Sequence, residues 1–171
     1  MTLRTGNYRQ SILLNNPPAR WLINHLSSVI RKGQQEKFII DTLEVAIIKI
    51  NRITGSSLDK RSKVSALKQT VSAVLRQVPH NKDYKAELVK YASIAMVETH
   101  SFEEALLFAG QSIADPLYRN DILLEVIDKM FYQGMQRGKV VGICQKVAGR
   151  IPGMHRIISD IYVNYPEINE V

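Results

Sequence analysis

Four histidines and one cysteine are the side chains of this 171-residue chain best suited to bind a metal or act as nucleophiles. No two of His25, His80, His100 and His155 have the i, i+4 spacing that places metal ligands on one helical face. Cys144 has no neighbouring histidine in the sequence to activate it, and it lies in an apolar stripe. We therefore expect no metal site, no cofactor, no disulfide and a buried, unreactive thiol.

Two further motifs could carry chemistry, but each has a structural interpretation. Glu103 and Glu104 are adjacent carboxylates in a predicted first helical turn, where Glu104 follows Ser101 at the spacing of a helix capping box. Three glycines stand four residues apart in GMQRGKVVG, residues 134–142, without the Gly-Lys-Ser/Thr of a phosphate-binding loop. We interpret these glycines as a helix end and a close helix contact. The sequence therefore predicts no enzyme.

Positive charge is concentrated in the first third of the chain. The net charge is +7, and residues 1–63 contain 11 Lys or Arg against 4 Asp or Glu, whereas residues 99–134 contain 2 against 6. This asymmetry indicates a polyanion or an acidic protein as partner, with a solubilising surface as the alternative. The candidate polyanion-binding residues are Arg20, Arg31, Lys32, Lys37, Lys60, Arg61 and Lys63.

Residues 1–19 are a candidate N-terminal arm. The stretch NNPPAR, residues 15–20, contains two prolines that favour extended geometry, as in a flexible arm, a segment laid across a partner or a tail with no role. The apolar stretch Ile12–Leu14 is too short for a secretory signal, and no apolar run reaches the ~18 residues that cross a bilayer. We expect a cytoplasmic protein with no membrane partner.

Helix start signals divide residues 101–130 into two helices. Ser101 begins the first, and Asp115-Pro116 begins the second, because aspartate caps a helix and proline suits its first position. The apolar stripe of the first helix comprises Phe102, Ala105, Leu106, Ala109 and Ile113, and that of the second comprises Ile122, Leu123, Val126, Ile127 and Met130. A connection this short predicts an antiparallel αα-hairpin.

The same periodicity extends over most of the chain and shows no strand-like alternation. It predicts about eight helices, near residues 20–31, 36–53, 64–78, 81–95, 101–113, 115–130, 140–151 and 154–165. Residues 36–53 are apolar on nearly every side, so we expect that helix to be central. The predicted fold is all-α, with antiparallel helices stacked as hairpins in a short solenoid-like or bundle domain over residues 20–171, of which 64–165 form the hairpin repeats.

A repeat in the mid-thirties supports this architecture. Pro79, Pro116 and Pro152 lie 37 and 36 residues apart, and residues 105–109 align with 140–144 at an offset of 35. The stretch FEEALLFAGQSIADPLYRNDILLEVIDKMFYQG resembles the degenerate α-hairpin repeats of the tetratricopeptide and HEAT-like class, best over residues 101–134 and partially over 136–165. This resemblance implies a solenoid-like scaffold that binds peptides or proteins.

The leading functional hypothesis is an adaptor or chaperone-like module that binds a protein partner in a groove between helical hairpins. The alternative is a nucleic-acid-binding protein that uses its basic N-terminal third. Self-association into a homo-oligomer also remains open, because the ends of short solenoids often pair.

Overall fold

The computed structural model describes residues 34–77 and 82–165, and all of their regular structure is helical. The seven α-helices are α1 (Gln34–Thr54), α2 (Lys60–Leu75), α3 (Lys82–Glu98), α4 (Phe102–Ser112), α5 (Pro116–Tyr132), α6 (Arg137–Val147) and α7 (Met154–Asn164), with a 3₁₀ turn at Ala148–Arg150. The all-α prediction is confirmed. The predicted arm 1–19 and the predicted helix 20–31 lie outside the described residues.

The chain divides into two compact units, Met1–Ile48 and Lys49–Val171, and the division falls within α1. In the first unit, the described part of α1 buries Ile39, Leu43 and Ile47 at helical spacing. Phe38 and Val45 are exposed, at 58% and 59%. This part of α1 therefore has one buried and one exposed apolar face, and the central position of the helix stays a prediction.

In the second unit, each helix from α2 to α7 packs against its neighbours in the chain. Helix α3 packs against α2, α4 and α5, and α6 packs against α4, α5 and α7. The predicted apolar stripe of α5 is completely buried, and so are Ala105, Leu106 and Ala109 of α4. In α7, Ile157 and Ile161 are buried, whereas the neighbouring Tyr162 is 52% exposed.

The helix ends follow local capping rules. Asp115 caps α5 as predicted, since its Oδ1 accepts from the Leu117 amide at 3.1 Å and Pro116 occupies the first turn. Helix α3 ends in a Schellman motif, in which the amides of His100 and Ser101 donate to the carbonyls of Val97 and Met96. His100 has a φ of 57°, a left-handed conformation that glycine usually supplies.

The predicted capping box at the start of α4 was wrong. Ser101 makes no side-chain cap, because its φ and ψ of −100° and 57° lie outside the extended region that aims a capping hydroxyl. Its buried hydroxyl instead lies 3.2 Å from Thr99 Oγ1. Glu104 is consequently available for other contacts.

Among the described helices, none is both long and apolar enough to cross a membrane.

Candidate binding groove

Two adjoining cavities open to the surface where the first turns of α2, α4 and α6 approach one another. Their volumes are ≈540 Å³ and ≈690 Å³. Lys60, Ser101 and Glu104 line both cavities, so we treat the two as one feature, the three-helix groove. All residues that line the groove belong to the second unit.

Each helix contributes its own side chains to the three-helix groove. From α2 and its cap come Asp59, Lys60, Arg61 and Lys68. From α4 and the turn before it come His100, Phe102, Glu103 and Glu104, and from α6 come Lys139, Gly142 and Lys146. The groove therefore presents five lysine or arginine side chains and three carboxylates.

Two salt bridges connect α4 to the helices on either side of the groove. Glu104 Oε2 lies 2.6 Å from Lys68 Nζ of α2, and Glu103 Oε1 lies 2.9 Å from Lys146 Nζ of α6. All four side chains are between about two-fifths and two-thirds exposed, so each pair contributes at most about 1 kcal/mol to stability. The main effect of the two pairs is thus to neutralise the charges of the glutamates, and their contribution to the stability of the fold is small.

Three cations of the groove have no such partner. Within residues 34–77 and 82–165, the side chains of Lys60, Arg61 and Lys139 make no hydrogen bond or ion pair. Asp59 lies beside two of them, but its carboxylate caps α2, accepting from the amides of Arg61 and Ser62 and from the Ser62 hydroxyl. The hydrogen bonds from Ser62 lower the pKa of Asp59, so this carboxylate stays ionised and engaged with the helix start.

Of the predicted polyanion-binding residues, three lie in the described second unit, and two of these three line the three-helix groove. Lys60 and Arg61 line the three-helix groove, whereas Lys63 donates to the Thr54 carbonyl at the end of α1, at 2.8 Å. Lys37 is exposed on α1 in the first unit. Arg20, Arg31 and Lys32 lie outside the described residues.

Sequence reasoning missed the lysines that complete the groove. Lys68, Lys139 and Lys146 lie outside the basic first third, in helical segments of mixed composition. The one local signal is at Lys139, a cation in the first turn of α6, where it opposes the helix dipole. Lys68 and Lys146 have no comparable signal, because only folding brings them next to Glu104 and Glu103.

Cys144 is buried on α6, and burial raises its pKa to about 12. In the described residues, no three His, Cys, Asp or Glu side chains are grouped so that they could hold a metal ion.

Comparison with protein-family models, curated proteins and solved structures finds no match to this chain.

The burial of Cys144 gives a direct prediction about its reactivity. At pH 8, a thiol with a pKa of about 12 has about a thousandfold less thiolate than one at the ordinary 9.0. We expect a chromogenic disulfide reagent to leave the native protein unmodified during the time in which it labels the guanidinium-unfolded protein completely. Equal labelling rates in the two states would contradict a buried Cys144.

Proposed function

We propose that this chain is a protein-interaction module, an adaptor or chaperone-like protein, that binds its partner in the three-helix groove. The observation that carries this proposal is that the two cavities share three lining residues, because a surface assembled from three helices is large enough to hold a segment of another chain. Each cavity falls within the range of ~300–1,000 Å³ found for ligand sites.

The helix contacts support the finer architecture that the proposal includes, a row of antiparallel hairpins. Helices α3 and α4 each pack against the next helix and the one after it, as neighbouring hairpins in a short solenoid do. Equivalent positions of the proposed repeat are also buried alike. Ala105 and Val140 are both 0% exposed, and so are Ala109 and Cys144.

Steric blocking of the groove tests the proposal. Gly142 lines the groove, and a β-carbon built on it meets no atom within 4 Å outside its own stretch of helix, so Gly142→Trp is expected to direct its indole into the cavity without a clash at its β-carbon. We expect tagged wild-type protein to capture a partner from its native lysate at near-stoichiometric level after nuclease treatment. The Gly142→Trp variant is expected to lose about nine-tenths of that capture, since its indole occupies the binding space.

The matched control is Gly149→Trp, which places the same side chain on an exposed glycine with open space around it and outside the groove. This variant should capture the partner as the wild type does. The thermal unfolding of all three proteins should be compared by circular dichroism. Equal capture by Gly142→Trp and wild type would exclude the groove as the binding surface, and no stoichiometric capture by wild type would reject the module itself.

A further inference from the structure

We propose that the ligand of the three-helix groove is an acidic peptide segment, and that Lys60, Arg61 and Lys139 bind its carboxylates. This inference rests on the proposed function and names the chemistry of the partner. It depends on which charges of the groove are already engaged within the protein and which are available to a ligand.

The available charges are all positive. Glu103 and Glu104 are each paired with a lysine across the groove, and Asp59 is engaged in capping α2. Lys60, Arg61 and Lys139 remain after these pairings, and they lie on two different helices of the same groove. A ligand that supplies carboxylates would therefore add charge-assisted hydrogen bonds without breaking any existing pair.

The three cations occupy positions that do not favour their own helices. Lys60 and Arg61 are the first two residues of α2, and Lys139 is the third residue of α6. A cation in the first turn is repelled by the partial positive charge of the helix N-terminus. An anion bound there is attracted by both the cation and the helix N-terminus. Helix stability thus gives no reason for these residues, while anion binding does.

The glutamates decide between a peptide and a nucleic acid. A nucleic-acid backbone carries a charge at every nucleotide, so it would bring phosphates into competition with Glu103, Glu104 and Asp59 for the groups that these carboxylates already bind. A peptide can place separate carboxylates at Lys60, Arg61 and Lys139 and neutral residues beside the glutamates. The two rings in the groove, His100 and Phe102, pack edge to face on each other at 5.8 Å and so form no stacking platform for bases.

Fluorescence anisotropy with the full-length protein tests this proposal. The probe is a short labelled peptide of alternating Glu and Ser, compared with the same peptide carrying Lys for Glu and with a single-stranded oligonucleotide of equal negative charge. The groove variant combines Lys60→Gln, Arg61→Gln and Lys139→Gln. Its matched control combines Lys85→Gln, Arg150→Gln and Arg156→Gln, three exposed residues outside the groove, so that each variant removes three positive charges.

We expect the Glu-Ser peptide to bind wild type, to bind less tightly as salt rises, and to lose about tenfold or more in affinity in the groove variant. The control variant should change that affinity less than about twofold, because distant exposed charges are screened. The lysine peptide should not bind.

Three outcomes would overturn the inference. The Glu-Ser peptide could fail to bind, or the control variant could lose as much affinity for it as the groove variant does. The oligonucleotide could also bind wild type more tightly than the peptide does and lose this binding in the groove variant. The last outcome would identify the groove as a nucleic-acid site. If the peptide fails while Gly142→Trp still abolishes capture of a protein partner, the inference falls and the proposed function stands. If both experiments fail, the proposed function falls as well.

Discussion

Replacing Lys90 by alanine is expected to lower the free energy of unfolding by about 3 kcal/mol, because it removes the cation from a buried ion cluster. Lys90 is only 6% exposed, and its Nζ lies 2.9 Å from Glu87 Oε1 and 3.2 Å from Glu125 Oε1. The Glu87 side chain is 17% exposed, so it would keep a largely buried charge without its partner. Glu125 is 47% exposed and can turn to water, which limits the loss.

The control for Lys90→Ala is Lys146→Ala, which breaks a salt bridge of similar length between exposed side chains. Lys146 and Glu103 are 67% and 49% exposed, so this change should cost less than about 1 kcal/mol. Chemical denaturation of both variants at neutral pH gives the comparison. The double variant Lys90→Met with Glu87→Gln should regain much of the lost stability, because it removes the buried charges together. Equal losses in Lys90→Ala and Lys146→Ala would show that burial of the cluster has no energetic importance.

Replacing Gly110 by alanine is expected to destabilise the protein by about 1–2 kcal/mol, although alanine is the better helix former. A β-carbon at Gly110 would lie 2.6 Å from Ile151 Cγ2 and 2.8 Å from its Cγ1. Both atoms are close to the backbone of Ile151, which is itself 2% exposed, so the side chain cannot turn away. Overpacking therefore outweighs the gain in helix propensity.

Gly142→Ala gives the opposite expectation from the same chemical change. Gly142 is also inside a helix, but no atom outside its own stretch of helix would lie within 4 Å of its β-carbon, so alanine should stabilise the protein by up to about 1 kcal/mol. Thermal or denaturant unfolding of the two variants should thus shift in opposite directions. In a double-mutant cycle, Ile151→Ala should relieve the penalty of Gly110→Ala, since it removes the clashing atoms. Additive effects would contradict the close approach.

The helices and their burial could be read from the sequence because both depend on residues within one or two turns of each other. The Asp115-Pro116 start and the five buried positions of α5 follow from spacing alone. The Ser101-Glu104 capping box failed although the spacing was correct, because the backbone turn that ends α3 directs Ser101 away from the helix start. The local rule was overridden by the structure of the preceding helix end.

The close contact at Gly110 shows a second limit of local reasoning. Sequence analysis placed the small residues Ala105 and Ala109 on the apolar stripe of α4, and both are buried. Gly110, which lies one position further, is the residue that cannot accept a larger side chain. The distinction depends on Ile151, 41 residues later in the chain. A glycine required by a distant side chain and a glycine in open space, such as Gly142, look the same in a sequence.

Sequence alone determined that the described part of this protein is all-helical and which faces of most of its helices are apolar, because helix propensity, caps and the 3.6-residue period act between near neighbours. Only the tertiary structure decided which charges meet. Lys68 pairs with Glu104 across 36 residues and Lys146 with Glu103 across 43, leaving Lys60, Arg61 and Lys139 around one groove. Surface pairs of this kind contribute too little energy to direct folding, so they follow the packing of the helices and leave no periodic pattern in the sequence.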